Sequence, residues 1–367
     1  MRRGILLVIL LAALLPFLAP RASAAELSQQ QRSSLDTGAL EQTAPENLED
    51  VDALSLTNLT DGLSKLRTLL AEQASGLVRR SIAAGGRLLV VVLLCSLAES
   101  AANASGGMSG QAVRLCGAAG VALAAFGDLN SLIGLGKDTI EKLSAFTTAL
   151  LPTLAAASAA SGAFTAAPVR QAATLLCSNF LTRLISGVLL PMTYVYAAAC
   201  VAAAAMDGNR GQSLCRLLRW TITTVLTGSV LCYTGYLSIA GSTADAADAT
   251  AMKAAQMAIS GMVPVVGGIL SSATESVFSG AAILRNSIGL FGVLGVLGFC
   301  AVPFLHLGVQ FLVYKLTAAL SGALSDHPSA KLIQSLGDVF ALVMGMAGAC
   351  ALVTLLALIS TITAVMP

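Results

Sequence analysis

Long apolar stretches alternate with short polar interruptions from about residue 86 to the end of the chain. The stretches fall at 87–104, 115–135, 143–163, 173–206, 218–241, 287–318 and 337–364. A helix needs about 20 apolar residues to cross a bilayer. We therefore predict an all-α, polytopic helical membrane protein with about six or seven transmembrane helices, in a transmembrane domain at 86–367.

Two of these stretches, 173–206 and 287–318, are longer than one crossing requires. They carry Pro191 and Pro303 near their middles. Proline removes a backbone donor and bends or breaks a helix. Each stretch is therefore either one kinked, tilted helix or a tight hairpin.

The amino terminus has the three parts of a secretory signal peptide. Arg2 and Arg3 precede an apolar run, and Ala22-Ser23-Ala24 matches the small-x-small cleavage rule. We predict a signal peptide at 1–24 and export of the residues that follow it. The alternative is an uncleaved membrane anchor.

The exported segment, 25–85, begins with a polar, acidic lead and continues as a helix with one apolar stripe. The stripe repeats at helical spacing, and its members are Leu56, Leu59, Leu63, Leu66 and Leu70. Three uses remain open for this helix. It packs on a partner helix, lies on the membrane surface, or packs on loops of its own protein.

The polar interruptions predict loops and orientation. We predict a short loop at 137–142, which holds two lysines, an aspartate and a glutamate. The segment 207–219 carries three arginines, which places it in the cytoplasm by the positive-inside rule. The segment around Asp245 and Asp248 is net negative, which favours the outside.

Residues 255–283 form an apolar but interrupted segment that contains Pro264, Gly267 and Glu275, with Arg285 just beyond it. Such a segment is tolerated at membrane depth where it is buried in protein or lines water. Ionisable groups at that depth are functional candidates. We name Glu275, Arg285, Pro264, Gly267 and Pro303 as candidates for pore or partner contact, and a structural polar contact is the alternative.

Proline spacing indicates an internal duplication. Pro152 and Pro264 are 112 residues apart, as are Pro191 and Pro303. The predicted halves are 137–241 and 249–364. Duplicated units with broken helices are one way to build a pore or a transporter.

Composition agrees with these predictions and excludes several functions. Hydrophobic residues make up 56% of the chain and charged residues 11%, whereas soluble domains carry roughly 25% charge. A formal charge of +2 gives no reason to expect nucleic acid. None of the 8 cysteines form a CxxC motif, and only two histidines occur. We expect no metal, no cofactor, no catalytic residue and no enzyme activity.

Three short motifs carry a resemblance to a known family. Residues 262–267 (MVPVVG), 273–277 (ATESV) and 284–290 (LRNSIGL) resemble the most characteristic part of the stage III sporulation protein AE family. The layout is similar too, with an export signal, an exported leucine-striped helix, a polytopic body and Ala301-Val302-Pro303 in a late span.

The resemblance implies a role in endospore formation. It implies a multi-pass protein of the mother-cell membrane facing the forespore, within a multi-protein channel or secretion-like complex that connects the two cells. Membrane lipid and the other subunits would be its partners, and a homo-oligomer remains open. The residues themselves leave two alternatives, which are a stand-alone secondary transporter of a small solute and a passive membrane scaffold.

Overall fold

The described residues are helical apart from a short turn at 161–163. The computed structural model describes residues 59–104, 110–163, 166–205, 209–262, 267–324 and 328–363. The helices are α1 (Leu59–Ala104), α2 (Gly110–Ala160), α3 (Ala166–Leu184), α4 (Leu190–Ala205), α5 (Asn209–Met262), α6 (Gly267–Leu324) and α7 (Pro328–Thr363), with a π-helical segment, Ile185–Leu189, joining α3 to α4. The predicted all-α fold class is confirmed.

Six stretches in the described part of the chain are long and apolar enough to cross a membrane. They are Gly76–Ala98, Leu115–Ala160, Ala167–Ala205, Gly211–Ile239, Ser279–Ala323 and Ser329–Ile362. This finding confirms a multi-pass membrane protein. The first of them starts inside the segment predicted as exported, because α1 runs through residue 85 without a break.

The predicted loop at 137–142 is wrong, because α2 is one helix from Gly110 to Ala160. Its apolar side continues through the charged segment, where Ile140 and Leu143 are 2% and 1% exposed. Helical hydrogen bonding does not require apolar side chains on both faces. The charged residues therefore occupy the outer side of the helix without ending it.

Both proline-bearing stretches are continuous helices and not hairpins. Pro303 lies inside α6. Just before Pro191, the Leu190 N–H donates to the Ile185 carbonyl, five residues back, and this bond closes the π-helical turn. Proline cannot donate the next bond, and the π-turn changes the hydrogen-bond pattern just before it without ending the helix.

The core forms where α2 packs against the α6–α7 hairpin. Phe146 of α2 lies 5.4 Å from Phe299 and 6.3 Å from Phe291, measured between ring centroids. A Cβ placed on Gly292 would lie 2.6 Å from Leu150 Cδ2, and one on Gly295 would run into Phe146. Small residues thus let the backbones approach closely, which is the usual basis of helix packing in lipid.

Candidate functional site

An ionic centre on Asp338 joins three helices near one end of the bundle. Arg219 Nη1 of α5 lies 2.6 Å from one carboxylate oxygen of this α7 residue, and Lys315 Nζ of α6 lies 2.8 Å from the other. The Asp338 side chain is only 6% exposed. A buried carboxylate in apolar surroundings is stable when both oxygens are paired, and two cations achieve that here.

A second carboxylate, Asp128 of α2, lies beside this centre. Gln310 Nε2 and Tyr314 Oη of α6 each donate to its Oδ2 at 3.1 Å. Arg87 Nη2 of α1 lies 4.0 Å from Oδ1. Because Tyr314 and Lys315 are consecutive residues, the two centres form one polar layer that includes residues of α1, α2, α5, α6 and α7.

A cavity of about 390 Å³ opens next to Asp338. Its lining includes three basic side chains, Arg216, Arg219 and Lys331. One carboxylate cannot neutralise these together with Lys315. The lining of this cavity is therefore electropositive.

At the opposite end of the bundle the structure buries arginines. Arg285 of α6 is 3% exposed, and its Nη1 donates to Ser161 Oγ at 3.3 Å. Arg170 of α3 is 4% exposed and lies close enough for its charge to act on Arg285. Asp248 of α5 is 3% exposed. Arg285 therefore has a polar contact between helices, and its predicted part in pore or partner contact stays a prediction.

The other predicted site residues are distributed along the chain. Leu56 and Pro264 lie outside the described residues. α1 contains Leu59, Leu63, Leu66 and Leu70, and α6 contains Gly267 and Glu275. The side chains of all six residues lie outside the described part of the structure.

Pro303 is buried in α6, 18 residues after Arg285. That separation is about 27 Å along a helix, so the structure does not bring Pro303 and Arg285 together.

The sequence analysis did not identify the contacts of Lys315, Asp128 and Asp338. Arg219 was counted only as one of three loop arginines. The signal that was available is helical spacing, because Gln310 and Tyr314 are four residues apart and share one face of α6. Nothing in the spacing relates α6 to the carboxylate on α2.

The polar centres do not have the composition of a metal site or a disulfide. Among the described residues, no group of three or more His, Cys, Asp or Glu side chains could hold a metal ion. The eight cysteines are free thiols. The chemistry of these centres is ion pairing and hydrogen bonding between helices.

Comparison with known proteins identifies the family. The family model described as stage III sporulation protein AE matches residues 52–366. The chain belongs to the stage III sporulation protein AE family. It is therefore a multi-span membrane protein involved in sporulation, and the resemblance noted in the motifs at 262–290 is confirmed.

One relative is the stage III sporulation protein AE of Bacillus subtilis (strain 168). It is 26% identical over 196 residues, which cover 53% of this chain and 49% of that protein. The match thus spans about half the length of this relative. No solved structure matches the chain.

Proposed function

We propose that this protein is an integral component of a multi-protein intercellular channel or secretion-like complex that supports forespore development. The observation that carries the proposal is that the apolar body of this family member holds charged side chains at fixed positions between its helices. Such groups cost free energy in lipid, so a protein that retains several of them uses them for a pathway or an assembly.

The proposal assigns the chain to the mother-cell membrane, facing the forespore. Arg216 and Arg219 would face the cytoplasm, and the segment that precedes α1 would be exported after its signal peptide. The leucine stripe beginning at Leu56 would dock other subunits or the membrane surface. Glu275 and Pro264, in the interrupted segment, would border the conduit.

The helix order supports the proposed duplication into 137–241 and 249–364. In each half a long helix with a central proline is followed by a second long helix. α4 ends at Ala205 and α5 begins at Asn209, while α6 ends at Leu324 and α7 begins at Pro328. The same arrangement favours a second candidate function, a stand-alone secondary transporter, since transporters are often built from such repeats.

Reconstitution separates the two candidates. Purified protein in liposomes should take up no solute by itself. From sporulating cells it should copurify with other membrane subunits, and deleting its gene should strongly reduce the number of heat-resistant spores. Solute uptake by the protein alone, without stable partners, would contradict the proposal and support the transporter.

A Glu275→Gln variant separates a channel component from a passive scaffold. We expect this variant to recruit partner subunits normally and to lower spore yield, because recruitment depends on the whole surface while a conduit depends on the local charge. Copurification and spore counts are measured on the same culture. Normal spore yield in a fully recruited complex would favour the scaffold.

A further inference from the structure

The first part of α2 exposes Leu115, Leu123 and Phe126, as the other helices expose large apolar side chains, but the outward face of the rest of α2 is different. From Gly127 to Ala163, all described, no large hydrophobic side chain is exposed. The exposed positions of α2 in this stretch are polar, charged or small, and they are Gly127, Asn130, Ser131, Lys137, Asp138, Glu141, Lys142, Ala145, Thr148, Pro152, Ala156 and Ala160. We call this set the polar face of α2.

Other helices expose the large apolar side chains that lipid contact requires. α3 exposes Leu176 at 74% and Phe180 at 60%, and α5 exposes Leu231 at 65%. α6 exposes Leu316 at 63%, and α7 exposes Leu352 at 52%. The polar face is therefore a local property of α2 and does not follow from the composition of the whole chain.

Contacts with α7 place the charged part of the polar face beside the middle of the apolar span of α7. A Cβ on Gly136 would run into the Val343 side chain. Thr147 Oγ1 lies 3.1 Å from Thr354 Oγ1. Residues 137–142 therefore lie beside α7 between these two contacts, and the centre of the α7 span, Ser329–Ile362, is near residue 345.

Contacts with α6 give the same depth independently. Asp128 accepts hydrogen bonds from Gln310 at one end of this stretch. Phe146 packs where a Cβ of Gly295 would lie at the other end. Residues 137–142 thus lie beside α6 between Gly295 and Gln310, and the centre of its span, Ser279–Ala323, is near residue 301.

Charges at that depth are incompatible with contact to lipid tails. The Lys137 and Glu141 side chains are 52% and 53% exposed, with Nζ and Oε1 3.7 Å apart, and Asp138 and Lys142 are exposed as well. A charge at the bilayer centre costs at least about 2.5 kcal/mol. Four such charges on one face would together cost more free energy than an ordinary contact between two helices supplies.

α3, which packs against α2, adds further polar groups at similar depth. Asn179 and Arg183 are exposed one helical turn apart. They lie between the Thr174–Tyr233 hydrogen bond (2.8 Å) and the Tyr194–Asn130 hydrogen bond (3.4 Å). Arg183 is about 24 Å along the helix from the nearer end of its 39-residue span, Ala167–Ala205.

We propose that the polar face of α2 lines an aqueous space through the middle of the membrane and that this space carries water and small hydrophilic solutes. The inference rests on the proposed channel function, because it names the surface that would border the conduit. Hydrated charges remove the free-energy cost that lipid would impose. Both signs of charge are present, so the face does not exclude ions of one sign by its net charge.

Water suits this face better than a partner subunit does. Protein interfaces are depleted in lysine, glutamate and aspartate at their centres and rely on large apolar or aromatic side chains. The polar face has none of these side chains at its exposed positions. An i,i+4 Lys–Glu pair beside further charges of both signs is typical of a helix face in water.

Thiol accessibility tests the proposal. Asp138→Cys and Lys142→Cys are made singly, with Leu352→Cys on the apolar outward face of α7 as the matched control. Membrane vesicles of both orientations, with and without the co-expressed partner subunits, are treated with a membrane-impermeant maleimide. Labelling is read at the peptide that carries the new cysteine, so the native cysteines remain in place.

We expect positions 138 and 142 to label at least about ten-fold faster than position 352, in the protein alone and in the complex, because only a hydrated thiol ionises and reacts. No labelling at 138 and 142 would overturn the proposal. Labelling in the protein alone that is lost in the complex would also overturn it, since a partner would then cover the face. Equal labelling at all three positions would overturn the assigned depth.

Spore counts distinguish a failure of this inference from a failure of the proposed function. Lys142→Leu, which removes one charge from the polar face, should lower heat-resistant spore yield about ten-fold while membrane insertion and copurification stay normal. Full sporulation with fast labelling would retain the aqueous face and reject the channel role. Lost sporulation without labelling would reject the aqueous face alone.

Discussion

α2 and α7 both pack against α6, yet they place their charged residues differently. The acid of α7, Asp338, is enclosed and paired with two cations, while the outward side of that helix carries Leu352 and Ile359. α2 buries its apolar side and shows four charges outward. An apolar helix therefore accommodates charged residues in two ways. They are paired with opposite charges between helices, or they are exposed to a medium that solvates them.

The sharpest test of that difference is to remove one acid of each kind. Asp338→Ala should lower the free energy of unfolding by about 1.5–3 kcal/mol, because Arg219 and Lys315, which are themselves partly exposed, lose a buried counter-charge. Asp138→Ala should change it by less than about 0.5 kcal/mol, as expected for an exposed group. Unfolding of the protein in bicelles by added denaturing detergent measures both. Equal effects would mean that the two acids share one kind of environment.

Two glycines of α2 test whether an added methyl group has opposite effects on the buried and the open side of the helix. Gly136→Ala should destabilise the protein by about 1–3 kcal/mol, because the new methyl group overlaps Val343. Gly134→Ala has nothing within 4 Å of its new methyl group and should stabilise the helix by up to about 1 kcal/mol. The same unfolding assay applies. A stabilising Gly136→Ala would show that α2 and α7 are farther apart than described.

The contribution of the inward carboxylate of α2, Asp128, to stability should depend on its hydrogen-bond donors. Tyr314→Phe removes one of the two hydrogen bonds to Asp128 Oδ2 and should cost about 0.6–1.7 kcal/mol of unfolding free energy, as for interhelical hydrogen bonds in membranes. Tyr194→Phe, which removes a long and exposed hydrogen bond at 3.4 Å, is the control and should be close to neutral. A larger loss of stability in Tyr194→Phe than in Tyr314→Phe would contradict the assignment of Tyr314 as the buried donor to Asp128.

The smallest expected effect concerns the Lys137–Glu141 pair. A double-mutant cycle with alanine should give a coupling of about 0.3–0.5 kcal/mol that disappears in 1 M salt, because a hydrated surface pair is weak and screened. The cycle is measured at low and high salt in the same bicelles. A coupling well above 1 kcal/mol that ignores salt would place the pair in lipid.

Part of the site could be predicted and part could not. The sequence singled out Arg285 because charges are rare in apolar stretches. It misread 137–142 as a loop, since a short charged run between two apolar runs looks the same whether the chain turns or continues. Only the apolar side chains on the opposite face, such as Ile140 and Leu143, pointed to a continuous helix.

The sequence by itself determined that this protein resides in a membrane, that it is helical and that it belongs to its family. Each of these conclusions depends on local composition and short motifs, which neighbouring residues carry together. Only the tertiary structure decided which charges are enclosed and which face outward. Arg219 and Asp338 are 119 residues apart, and their contact depends on how three helices are arranged, which no local pattern encodes.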